Sequence, residues 1–66
     1  MEEHKLYQYL GENVYRLRKQ RGLTQSELAA YIGCNQKYIS QIETGAAKAS
    51  VSICYKIANV FSVSVD

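Results

Sequence analysis

Leu6, Leu10, Val14 and Leu17 recur at steps of four, four and three, which draws one apolar stripe along the side of a helix. Tyr7, Glu12, Arg16 and Lys19 fall off that stripe. Gly22, directly behind Arg21, closes the pattern, because glycine takes the left-handed conformation that ends helices. The spacing therefore predicts a first helix from about residue 4 to 20. "TQSE" at 24–27 reads as a capping box, in which Thr24 accepts from the Glu27 amide and Glu27 reaches back to the Thr24 amide. A second helix follows from Gln25 to Ile32 with Leu28, Ala29 and Ile32 inward, and Gly33 ends it.

Asn35 is a favourable N-cap for a third helix, Gln36 to Glu43, which "TG" at 44–45 stops. "AAKAS" is a loop, and its Ser50 caps a fourth helix with Val51, Cys54, Ala58 and Phe61 at three-four-three spacing. Ser64 is placed to cap a fifth helix, and the sequence stops two residues later. No strand-like alternation runs long enough to matter. The pattern predicts an all-α fold, a compact bundle of four short helices with a fifth begun, in one domain spanning residues 1–66.

The third helix carries polar residues on an unusual share of its surface. With Gln36 at 0° and about 100° per residue, Ile39 falls at about 300° and Ile42 at about 240°, which defines the inward side. Gln36, Lys37, Ser40, Gln41 and Thr44 then occupy the opposite side, and Tyr38 sits at the margin. Glutamine presents a donor and an acceptor together, which matches the N6/N7 edge of adenine, and lysine donates to guanine acceptors or to a phosphate. Such a face is able to read bases. A polar stripe alone is the ordinary solvated side of a helix, so the frame around it has to decide.

That frame is specific. Two helices joined by a short turn meet at a steep angle only with a small residue at the approach and a glycine in the turn. Counted from Gln25 as first, Ala29 is fifth and Gly33 ninth, with apolar Leu28, Ile32, Cys34, Ile39 and Ile42 at fourth, eighth, tenth, fifteenth and eighteenth. Seven constrained positions are met in register, and together they predict a DNA-binding helix-turn-helix over residues 25–43.

Composition sharpens this reading. The net charge is +2, yet Glu2, Glu3 and Asp66 lie at the extreme ends. Residues 4–65 hold all eight Lys and Arg against Glu12, Glu27 and Glu43, a local balance of +5 that suits a polyanionic partner. One near-terminal histidine, no clustered carboxylates and no phosphate-cradling glycine loop argue against an enzyme, a metal site and a cofactor. Cys34 and Cys54 lack the paired spacing of a zinc or redox motif and read as buried free thiols. No apolar run approaches a membrane span and "MEEHKLYQYL" lacks the blocks of a signal peptide, so a cytoplasmic protein without a membrane partner is expected.

Residues 10 to 65, about five-sixths of the chain, resemble the Cro and phage-repressor family of helix-turn-helix proteins, also called XRE-like. The resemblance shows in "LGENVYRLRKQRGLTQSELA", "IGCNQKYISQIETG" and "KIANVFSVSVD". It implies a lambda-repressor-like DNA-binding domain that binds double-stranded operator DNA as a homodimer. Carried over by position, it assigns Gln36, Lys37 and Gln41 to base edges, with Ser40 close by. It gives Gln25 to a phosphate and the end of the base site, Thr44 and Lys48 to backbone phosphates, and makes Arg18 and Glu43 an internal ion pair tying the first helix to the third. Three departures stand out: Ala49 where members often carry proline, Cys54 in place of a core leucine, and the fifth helix that in many relatives supplies the dimer contact.

Six tyrosines in 66 residues is a high count. Tyr31 and Tyr55 are expected as half-buried core edges, where the hydroxyl stays wet. The Tyr38 hydroxyl reaches either solvent or a phosphate. Tyr7 and Tyr9, with Leu6, either cover the gap of the missing fifth helix or make a subunit contact. His4 reads as solvated, and Arg16, Lys19 and Arg21 divide evenly between solvent and DNA. The expected function is a sequence-specific, repressor-like transcriptional regulator that takes no small-molecule substrate and reads the major groove with helix 36–43. The competing reading is a protein-interaction module or antitoxin component that uses the same fold without DNA.

Overall fold

Residues 2–61 are described by a computed structural model, and they form four helices joined by short loops, with no strand among them. The helices are α1 (Glu3–Gln20), α2 (Gln25–Ile32), α3 (Gln36–Thr44) and α4 (Val51–Val60). The expected fifth helix at Ser64 lies outside the described residues. The starts of α2, α3 and α4 have one common cause, a side-chain oxygen that accepts from a backbone amide three residues on. Thr24 accepts from Glu27, whose carboxylate returns to the Thr24 amide at 2.9 Å. Asn35 accepts from Tyr38 at 2.8 Å and Ser50 from Ile53 at 3.2 Å. Replacing Thr24 by alanine leaves the Glu27 amide without its side-chain acceptor and should cost about 1 kcal/mol. A melting point lowered by about 5 °C in a thermal scan is the expected reading.

Between α2 and α3 the chain has three residues, Gly33 to Asn35, in which to reverse. Gly33 stands at φ 75°, a left-handed conformation that only glycine holds at little strain. Its amide and that of Cys34 both return to the Ala29 carbonyl. This closes α2 and sends α3 across it.

The core is made of Val14, Leu28, Ala29, Ile32, Ile39, Ile42, Ile57 and Phe61. In it α1 packs on α3, while α2 packs on both α3 and α4. The α1–α3 contact is backbone to backbone at one point. Gly11 is buried in the middle of α1, and a Cβ there would collide with the Ile42 carbonyl oxygen and come within 2.8 Å of the Glu43 one. Any larger residue would hold the two helices apart. This close approach was not anticipated from the spacing of apolar residues.

Several sequence expectations require correction. In α4 the buried side is centred on Ile57, with Ile53, Val60 and Phe61 around it. Val51 lies about 120° around the helix from Ile57 and is 88% exposed. Tyr31 and Tyr55 are exposed rather than half-buried, since each falls outside the arc that its helix turns inward. Leu6 is exposed as well, because α1 reaches beyond the elements that cover its middle. Cys34 and Cys54 are free but only half-buried, the first in the turn and the second on the flank of α4. That partial burial still pushes both thiols above their ordinary range, which keeps them protonated. Beside Cys54 a cavity of about 130 Å³ runs between α1 and α4, bordered by Leu10, Val14, Leu17 and Ile57.

Candidate nucleic-acid interface

Ile39 and Ile42 are 0% and 1% exposed, so α3 is anchored by its apolar side and its opposite side faces outward. Gln36, Lys37, Gln41 and Thr44 are exposed on that outward side, and Ser40 is half-buried beside them. Thr44 donates within the helix to the Gln41 carbonyl at 3.2 Å. Tyr38 is half-buried and packs against the core.

The N-terminal end of α3 is joined to α2 and α1 by a chain of polar contacts. The Arg18 guanidinium forks onto the Glu43 carboxylate, with Nε to Oε2 at 2.6 Å and Nη2 to Oε1 at 3.0 Å. Its Nη1 donates to the Leu23 carbonyl at 2.8 Å. Both side chains are nearly inaccessible, at 8% and 5% exposure. The hydrogen bonds to Glu43 hold the Arg18 guanidinium above its ordinary range, against the opposing effect of burial. Glu43 Oε1 also accepts from Gln25 Nε2 at 3.0 Å. Gln25 Oε1 in turn accepts from Gln36 Nε2 at 3.4 Å, and Gln36 Oε1 accepts from Ser26 Oγ at 3.0 Å. The exposed amide of Gln36 is thus tied in two steps to a buried ion pair.

This network brings together Arg18, Gln25, Gln36 and Glu43, four of the residues singled out in the sequence. Ser26 was missed, although its place one position after Gln25 on a capped helix turns it toward the start of α3. Lys48 is not part of the cluster. Its ammonium stands 2.6 Å from Glu3 Oε1, where the loop before α4 passes the first turn of α1. Their mutual hydrogen bond raises the Lys48 ammonium and lowers the Glu3 carboxyl from their usual values. Arg21, exposed, donates to the Phe61 carbonyl at 2.6 Å and so ties the end of α1 to the end of α4. His4 lies exposed beside Glu2. Among the described residues no three potential metal ligands cluster, and no helix is long and apolar enough to cross a membrane.

Two packed helices around a glycine turn, with the second presenting free amide and ammonium groups outward, define a helix-turn-helix DNA-binding domain. Sequence comparison agrees. A family model described as "Helix-turn-helix" matches residues 14–66. The chain is 40% identical over 55 residues to an uncharacterised HTH-type transcriptional regulator, y4dJ, of Sinorhizobium fredii, covering 83% of this chain and 71% of the relative. It is 37% identical over 49 residues to another such regulator of Archaeoglobus fulgidus, covering 74% of this chain and 70% of that one. It is 34% identical over 55 residues to the HTH-type transcriptional regulator RamB of Mycobacterium tuberculosis, covering 83% of this chain but only 12% of RamB. The chain belongs to the XRE-like helix-turn-helix family of DNA-binding transcriptional regulators.

Proposed function

We propose that residues 1–66 act as one repressor-like unit that recognises a particular operator sequence by laying α3 in the major groove. Gln36, Lys37, Ser40 and Gln41 contact base edges, while Gln25, Tyr38, Thr44 and Lys48 contact phosphates on either side. Two copies bind a two-fold operator with their α3 helices about one DNA turn, roughly 34 Å, apart. The observation that carries this reading is the division of α3 itself. One side is sealed in the core, and the other offers hydrogen-bonding groups without an apolar or aromatic anchor.

The same observation weighs against a protein-interaction module or antitoxin component acting through α3, since a dry protein interface centres on aromatic or apolar anchors. The chain is then a regulator without enzymatic activity or cofactor, working in the cytoplasm.

Selection of binding sites from a random DNA pool tests the reading. A two-fold consensus with half-sites one helical turn apart is the expected product. Affinity for the selected duplex should fall steeply with salt. Gln41→Ala should cost about 1–3 kcal/mol on that duplex and relax the preference at one position of each half-site. Weak binding that ignores both salt and sequence would transfer the chain to the interaction-module class.

A further inference from the structure

The pattern of the sequence leaves Arg16, Lys19 and Arg21 divided between solvent and DNA, and the structure separates them. Arg16 is bonded to Asn13 one turn earlier in α1. Arg21 is held by the Phe61 carbonyl and lies over the Phe61 ring at 5.9 Å. The exposed Lys19 side chain has neither hydrogen bond nor ion pair among the described residues. Its ammonium stands instead 6.0 Å from the centroid of the Tyr15 ring, one turn back on the same face of α1, a ring that the Arg18 guanidinium also covers at 5.3 Å.

Lys19 also lines an open cleft of about 400 Å³ whose other walls include Thr24, Gln25 and Gln36. Arg18 lines this cleft too, but its charge is met by Glu43. Lys19 is therefore the uncompensated cation of the cleft. Two of its neighbours there, Gln25 and Gln36, are the residues proposed above to meet the DNA.

We propose that Lys19 contacts a phosphate of the DNA backbone and that the Tyr15 ring positions it, extending the interface from α3 across the cleft onto α1. This inference rests on the reading of α3 as the base-contacting helix. The chemistry suits it. A backbone phosphate is a compact anion that a lysine meets as a point charge, without the planar geometry that arginine requires. An ammonium held over an aromatic face keeps its charge while losing part of its rotational freedom, so less ordering is left for the moment of binding. Tyr15 is 49% exposed, which gives its ring access to the same side.

The test uses the full chain on the duplex selected by the wild type and on a mixed-sequence duplex of about 20 base pairs. Lys19→Gln should weaken binding to both about 5- to 10-fold near 0.1 M salt, and should lower the slope of log affinity against log salt by about 0.9. Base preference should not change. Tyr15→Leu should weaken binding about 2- to 5-fold at an unchanged slope, because Lys19 keeps its charge and loses its placement, while Arg18, which the ring also covers, stays fixed by Glu43. Tyr15→Phe, which keeps the ring, should bind as the wild type does. Arg16→Gln removes an equal charge from the same helix and supplies the baseline for general loss of charge. Melting curves establish that each surface variant is folded. Lys19→Gln behaving as Arg16→Gln would overturn the inference while leaving the reading of α3 intact. A wild type with no salt-dependent DNA binding would remove both.

Discussion

Glu43→Ala should lower the folding free energy by about 3–5 kcal/mol, the cost of leaving one partner of a buried ion pair alone. A chain of this size holds only about 3–10 kcal/mol in total, so a large share of the molecules should be unfolded at growth temperature. The loss has two named sources. The Arg18 side chain, 8% exposed, keeps only the Leu23 carbonyl as acceptor. Gln25 loses the acceptor of its amide as well, which loosens one of the two ties on Gln36 at the start of α3 and leaves the one to Ser26. Denaturant unfolding followed by circular dichroism measures the first effect. The double variant Arg18→Met/Glu43→Leu isolates the cause: it should be more stable than either single variant, because it leaves no charge behind. A double variant worse than both singles would show that packing volume, rather than an orphaned charge, sets the cost.

For Gly11→Ala the structure and local propensity predict opposite signs. Alanine is favoured over glycine inside a helix by about 1 kcal/mol, so α1 alone would gain. In the folded domain the added methyl meets the carbonyl oxygens of Ile42 and Glu43, which are backbone atoms and have little room to yield. Overpacking of this kind costs about 1–3 kcal/mol before any change in helix position. We expect the collision to win and the midpoint of unfolding to fall, with Gly11→Val worse again. The collision falls beside Glu43, so α3 should tilt, and DNA affinity should drop by more than the fraction unfolded explains. A Gly11→Ala variant more stable than the wild type would mean that α1 and α3 move apart at less cost than the helix gains.

What the sequence made legible and what it did not divide along a physical line. Helix starts were readable because a cap is local: Thr24, Asn35 and Ser50 each act on an amide three residues away. The framework of α2 and α3 was readable because a three-residue turn restricts which side chains fit. In α4 the local signal failed. Val51, Cys54, Ala58 and Phe61 keep helical spacing as well as Ile53, Ile57 and Phe61 do, and only contact with the rest of the core selects the second set. Tyr31 and Tyr55 were misplaced for the same reason. Gly11 carries no apolar signal at all, since what it supplies is absent volume against α3. The outward side of α3 was readable from periodicity. The hydrogen bonds from Ser26 through Gln36, Gln25 and Glu43 to Arg18 join three helices, and no spacing within one of them encodes that.

That chain of amides bears on any attempt to move this recognition surface into another scaffold. A recipient given only residues 36–44 would carry the outward groups without Ser26 and Gln25, so the leading glutamine would swing through many rotamers and discriminate poorly. The transferable unit is larger than a helix: it starts at Arg18 and ends at Thr44, and a chimera drawn inside those limits discards the fixture that aims the side chain.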